Sequence, residues 1–209
     1  MGTIVVSENV SLDGVVQDPA GDEGFRVGGW IGLIKDRPEL NQLALDEALA
    51  AEALLLGRRS YEWFAARWPS RSGELADRLN DLPKYVVSST LERPDWNNST
   101  VLGGDVLDEV SKLKHELDGE ILVAASFQLV HTLLEHDLAD ELRLKVFPVV
   151  LGDGERLVER ELLTVLAAIG LPEPAADREA LDTGRVLDDS VERDVLADDD
   201  PSHFGSPFR

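Results

Sequence analysis

The chain reads as an α/β protein of three layers, a mostly parallel sheet flanked by helices, and two observations carry that reading. Short β-branched or leucine-rich runs alternate with segments of helical periodicity along most of the first 150 residues, the order that builds crossover units on a parallel sheet. With 209 residues, 43% of them hydrophobic, the chain is also long enough for one domain with a buried core and some surplus. No internal repeat interrupts the alternation.

Taken in order, "TIVVSENVS" from Thr3 is a β-branched run suited to a buried strand, and "LNQLALDEALAAEA" from Leu40 has helical spacing and strong helix formers. "ALLLG" is an apolar strand stopped by Gly57. "SYEWFAARW" and "ELADRLNDL" read as helices, followed by strands in "KYVVSST" and "TVLGG". "DVLDEVSKLKHEL" places Val106, Leu107, Val110, Leu113 and Leu117 on one face of a helix. "EILVAAS" is a strand, "FQLVHTLLEHDL" a helix, and "DELRLKVFPVVLG" a long strand in which Pro148 marks a bulge or bend.

The character changes after about Gly154. Residues 1–158 are expected to form the folded domain and 159–209 an acidic extension, with one helix in "ERELLTVLAAIG". Beyond Gly170 the chain is acidic, poor in aromatics and aperiodic, a composition that buries too little apolar surface to offset ordering. That tail is expected to be mostly disordered or loosely attached.

The formal net charge of −21 opposes nucleic acid or an anionic membrane as the main partner. There is no cysteine for disulfide, thiol or cysteine–zinc chemistry. His115, His131 and His136 lie on helices without co-ligands at metal spacing, so no metal is expected. The first residues lack a signal-peptide pattern, and no apolar stretch approaches the roughly 20 residues of a membrane span. A cytoplasmic location is expected.

Against that acidity, Arg58, Arg59, Arg67 and Arg71 gather just after an apolar strand and a glycine. Ligands of open α/β sheets bind beyond the carboxyl ends of the strands, and three such ends carry suitable groups. Gly57, Arg58, Arg59 and Ser60 combine close backbone approach, forked donors and a hydroxyl able to cap the next helix, a good phosphate site. Ser88, Ser89 and Thr90 form a row of hydroxyls with no carboxylate among them. In "VAASFQLV" small residues lead into a helix whose N–H groups suit a pyrophosphate. Singly, the default reading is a solvated surface for the arginines and a turn for the serines; together the three strand ends point to a phosphate-rich cofactor.

The segments "SENVSLDGVV", "LLLGRRSYEWFAARWP", "KYVVSSTL", "WNNSTVLGGDV" and "ILVAASFQLVHTLLEHDLADELRLKVFPVVLGDGERL" together resemble a dihydrofolate-reductase-like family. It is the family related to the reductase domain of the bifunctional riboflavin-biosynthesis deaminase-reductase. The resemblance runs in order from about residue 3 to 158 and implies an NADPH-dependent reductase, often a homodimer. It implies that Gly57, Arg58, Arg59, Ser60, Ser88, Ser89 and Thr90 hold the adenosine-phosphate side of NADPH, with Gly103 and Gly104 also on the cofactor side. It places the pyrophosphate at Ala125, Ser126, Phe127 and Gln128, and sets the turn from Ser11 to Gly14 beside nicotinamide and substrate.

Three departures accompany the resemblance. Ala125 and Phe127 flank Ser126 where relatives often read glycine-serine-glycine; "YEWFAARWP" replaces an acidic, proline and arginine pattern; and the terminal strand hairpin of relatives is not found in residues 159–209. Trp63, Phe64 and Trp68 are either helix packing or an aromatic wall for a flat ring. Asp13 is either a catalytic or substrate-contact acid or a turn former. Trp30 either closes over a ligand, as a substrate contact beside Ser11, or folds onto the core. The expected function is an NADPH-dependent reductase of a pterin-, pyrimidine- or similar flat-ring substrate, resembling the 5-amino-6-(5-phosphoribosylamino)uracil reductase domain. The alternative is a non-catalytic nucleotide-binding or dimerisation module on a degenerate reductase fold. A homodimer is expected to use Leu144, Val146 and Val149 of an exposed last strand.

Overall fold

The computed structural model describes residues 1–34 and 38–158. Its regular elements are β1 (Thr3–Ser11), α1 (Pro38–Ala50), β2 (Ala51–Gly57), α2 (Arg58–Ala65), α3 (Glu74–Asp81), β3 (Lys84–Val87), β4 (Ser99–Leu102), α4 (Val106–Glu116), β5 (Glu120–Ala124), α5 (Phe127–Glu135) and β6 (Glu141–Phe147). A short 3-10 helix, Trp30–Leu33, lies in the long connection after β1. The expected extension over 159–209 and its helix lie outside the described residues.

The six strands form one sheet in the order β4-β3-β2-β5-β1-β6, and every paired neighbour runs parallel. Alternation along the strands divides the core in two, as a period of two residues requires. Ile4, Val6, Leu55, Ile121 and Val123 face α4 and α5, whereas Val5, Leu54, Leu56, Val86 and Leu122 face α1, α2 and α3. Leu54, Leu55 and Leu56 are almost wholly buried, each worth about 1.5–3 kcal/mol of transfer free energy. The architecture is therefore the expected three-layer α/β fold.

The layer assignment follows from the connections. Steps toward the β4 edge carry α1, α2 and α3 on one face; steps back toward β6 carry α4 and α5 on the other. A single crossover hand demands that segregation. The direction in which successive strands are added to the sheet reverses between β2 and β5, so a crevice opens beyond their carboxyl ends.

Two boundaries differ from the sequence reading. The helix expected through Ala53 stops at Ala50, because Ala51 already pairs with Glu120 of β5. The register shifts between Ala51 and Ala53, and the Glu52 carboxylate between them accepts the Asp118 and Gly119 N–H groups at 3.2 and 2.5 Å. Sheet pairing overrides alanine's helix preference here. Further on, α2 begins at Arg58 directly after the strand, with extended Gly57 as its N-cap. Ser60 is thus inside the first turn and does not cap the helix, which corrects that expectation.

Elsewhere local chemistry agrees with the pattern. Asp105 caps α4 by accepting the N–H groups of Leu107 and Asp108 at 3.0 and 3.2 Å, and acids in the first turn and bases in the last complement the helix dipole. Lys114 near the end of α4 ties to Asp140 at 2.6 Å, whose carboxylate also accepts the Ile4 N–H at 2.7 Å. That clamp sets the starts of β1 and β6. β6 ends at Phe147, so Pro148 stands beyond the ladder and not within it. Among the described residues β6 pairs only with β1, and its Leu144 and Val146 are 43% and 56% exposed.

Candidate functional site

The carboxyl ends of β3, β2 and β5 lie side by side in the sheet, and a cleft of about 420 Å³ opens over them and over β1, within the usual size range of ligand pockets. β2 supplies its Gly57 end and the first turn of α2, Arg58, Arg59 and Ser60. β3 supplies Val87 and the turn Ser88, Ser89 and Thr90; β5 supplies Ala125 and Ser126, leading into Phe127 and Gln128 of α5. All of these positions except Val87 were legible in the sequence, as three separate strand ends. The fold brings them to one wall.

Each contributor is positioned by a specific contact. The Ser88 hydroxyl accepts the N–H groups of Thr90 and Leu91 at 3.2 and 3.0 Å, closing the turn after β3. The Thr90 hydroxyl accepts a hydrogen bond from the Arg58 guanidinium, and Arg58 also pairs with Glu62 one helical turn along at 2.7 Å. Ser126 accepts the Gly57 N–H at 3.0 Å, locking β2 to β5 at the crevice. Its hydroxyl therefore does not cap α5, whose first turn has no side-chain cap. Ala125 and Ser126 both adopt left-handed backbone, φ 53° and 71°, where the departure from glycine carries conformational cost.

The long connection after β1 closes the other side. Asp18, at φ 44°, is buried and accepts the N–H groups of Glu23 and Phe25 at 3.1 and 3.0 Å. A Cβ on Gly28 would stand 2.4 Å from the Asp18 carboxylate, so only glycine fits there. The folded connection presents acids to the arginines of α2. Glu23 pairs with Arg59 at 3.2 Å, and Asp22 takes both Arg67 at 2.9 Å and the Trp63 indole N–H at 2.8 Å. Two arginines of the positive cluster, Arg59 and Arg67, are thus countered by the chain's own first loop, and Arg58 by Glu62 of its own helix.

Several expected site residues lie elsewhere. Ser11 donates to the Asp13 carboxylate at 2.7 Å, and Asp13 also accepts the Leu151 and Gly152 N–H groups at 3.1 and 2.8 Å. Burial pushes that carboxyl up, but the bonds from Ser11, Gly152 and Leu151 outweigh it and hold Asp13 below the usual aspartate range. It ties the β1 turn to the segment after β6 and does not line the cleft. Trp30 is fully buried, donates to the Gln17 carbonyl at 2.9 Å and meets Phe147 edge-on at 5.3 Å, so it folds onto the core. Phe64 stacks between Trp68 and Trp96 at 6.3 and 6.4 Å, and the α2 aromatics pack away from the cleft. A Cβ on Gly104 would meet the Glu109 carboxylate at 2.7 Å, so its smallness makes room for α4, while Gly103 abuts the Ser88 carbonyl; neither lines the cleft.

Among the lining residues not read from the sequence, Glu8 has the most unusual surroundings. Glu8 of β1 is 5% exposed, borders the cleft, and its Oε1 has no hydrogen-bond partner. Burial pushes its carboxyl up to about 8, opposed in part by the positive charge of Lys145. The available signal was an acid in period-two register with Ile4, Val6 and Val10, the apolar positions of one face of β1. Asn9, Val16, Asp18, Pro19, Glu23, Val106, Leu129 and Thr132 complete the lining.

Comparison with known proteins places these features in a family. The family model of the RibD C-terminal domain matches residues 2–171. A curated relative, the uncharacterized protein YyaP of Bacillus subtilis (strain 168), is 28% identical over 162 residues, covering 74% of this chain and 79% of the relative. The crystal structure of a Shewanella sp. PV-4 protein provisionally assigned to riboflavin biosynthesis superposes with a TM-score of 0.56 at 21% identity, covering 74% of this chain and 82% of that one, a likeness of fold. The fold is dihydrofolate-reductase-like, and the chain belongs to the RibD C-terminal domain family.

Proposed function

We propose that the protein is an NADPH-dependent reductase of a flat, nitrogen-containing ring such as a pterin or pyrimidine. The observation that carries the reading is the convergence of Arg58, Arg59, the Ser88–Thr90 hydroxyls and the uncapped start of α5 on one cleft at the sheet's reversal point. Arginine forks with hydroxyls suit a phosphate monoester, and a helix N-terminus suits a pyrophosphate. In NADPH those two groups lie on the adenosine side, which leaves the nicotinamide for the part of the cleft over β5 and β1. Hydride transfer to a flat ring rests on positioning and on the cofactor's own chemistry, so a nucleophile is not needed.

Arg58 and Arg59 would select the 2′-phosphate and so distinguish NADPH from NADH. The test is titration of both cofactors by tryptophan fluorescence, with Arg58→Ala beside the parent. Loss of a charge-assisted contact is worth about 1.5–3 kcal/mol, so NADPH is expected to weaken more than tenfold and NADH hardly at all. Equal affinity of the parent for the two cofactors would refute the assignment. The non-catalytic reading draws on one observation, the two non-glycine residues in left-handed backbone at the pyrophosphate turn. Ala125→Gly separates the two readings: a strained but working cofactor turn gains affinity, and a turn unrelated to cofactor does not.

A further inference from the structure

We propose that Glu8 senses the redox state of the bound nicotinamide, favouring the neutral reduced ring as a carboxylic acid and the cationic oxidised ring as a carboxylate. The inference rests on the dinucleotide reading above and goes beyond it by assigning a role to a residue outside the phosphate-binding groups.

The argument is one of position along the cleft. In sheet order the lining runs from the Ser88–Thr90 turn of β3, through the arginines after β2 and the turn after β5, to Glu8 and Asn9 on β1. Three inter-strand steps of about 4.8 Å put β1 roughly 14 Å from β3. A dinucleotide anchored by its adenosine-side phosphates over β3 and β2 therefore directs its far ring toward β1. There the wall is Glu8, Asn9, Val16 and Leu129, apolar except for the acid and the amide.

Glu8 is also the lining acid without a fixed counterpart. Asp18 is held by the Glu23 and Phe25 N–H groups, and Glu23 by Arg59. Arg58 pairs with Glu62. Lys145 of β6 is held by the Ser7 hydroxyl and by Glu47 at 3.1 Å. From α5 the cleft receives Phe127, Gln128, Leu129 and Thr132, from the turn after β5 Ala125 and Ser126, and from α4 Val106, none of them charged. Arg156 and Asp13 are bound to each other beyond the cleft. Oε1 of Glu8, buried and unpartnered, is left to the occupant. A cation placed there favours the carboxylate and releases a proton; a neutral ring leaves the acid protonated.

The experiment uses NADP⁺ and NADPH as probes with the full chain. Dissociation constants are measured by tryptophan fluorescence from pH 6 to 9.5, and proton release is followed with an indicator dye in weak buffer near pH 7. In the parent, NADP⁺ is expected to gain about tenfold relative to NADPH across that range, the equivalent of a one-unit change in the acid's pKa on binding, and to release roughly half a proton near pH 7. In Glu8→Gln the ratio is expected to be flat and the release absent. A parent that binds both cofactors in a pH-independent ratio, with no proton release, overturns the assignment and leaves the dinucleotide reading standing. So does a Glu8→Gln variant that keeps the pH dependence. A parent that binds neither cofactor overturns both. If Glu8→Gln fails to fold, the parent's proton release alone decides.

Discussion

Replacing Glu8 with glutamine should make the protein more stable, and by an amount that grows with pH. The side chain is 5% exposed, Oε1 has no partner, and burial raises its carboxyl from 4.5 to about 8. Between those two values the folded chain holds a proton that the unfolded chain has released. Stability contributed by the neutral acid is therefore fully present below pH 4.5, falls as pH rises, and is gone above about 8. At about 1.4 kcal/mol per pH unit the loss is on the order of 5 kcal/mol, an upper figure because water entering the cleft offsets part of it. That is a large share of the stability of a typical domain. Glutamine has nearly the same shape and no proton to lose. Urea unfolding followed by tryptophan fluorescence should show parent and Glu8→Gln close together at pH 5 and the variant several kcal/mol ahead at pH 8.5. A difference that stays constant between pH 5 and 8.5 would refute the reasoning, since it would mean Glu8 ionises equally in both states.

Glu23→Gln should tighten NADPH a few-fold, because the carboxylate paired with Arg59 at 3.2 Å competes with a phosphate; exposed pairs of this kind are worth about 0.2–1 kcal/mol. Weaker NADPH binding by fluorescence titration would mean that the pair orders the cleft and does not compete. A homodimer through β6, which among the described residues pairs only with β1, should be broken by Val146→Asp and tightened by salt, which screens the net negative charge. A light-scattering mass of one chain at tens of micromolar protein, in low and high salt, would exclude it. Truncation after Leu171 should leave a cooperative unfolding transition intact, and aggregation of the shortened chain would show that the tail covers β6.

The elements were legible because each needs only local chemistry. The alternation of "ALLLG", "KYVV" and "EILVA" with amphipathic segments predicts parallel strands and helices, and Asp105 marks a helix start by itself. The wall of arginines and hydroxyls was legible for the same reason: Arg58, Arg59, Ser88 and the start of α5 follow directly on strand ends. What failed locally failed where pairing competes with propensity, as at Ala51, whose partner Glu120 lies 69 residues away.

The sequence by itself determined the layer architecture, the strand ends and the donors they carry, because periodicity and turn chemistry act over a few residues. Only the tertiary structure decided that β3, β2 and β5 are neighbours, so that three separate ends become one wall. It also decided that Asp13 and Trp30 are committed to the loop after β6 and to the core, while Glu8 faces the cleft. A side chain's chemistry depends on how completely water is removed from it and on what replaces the water. For Glu8 that is settled by α5 and the first loop folding over β1, contacts no local pattern in β1 records.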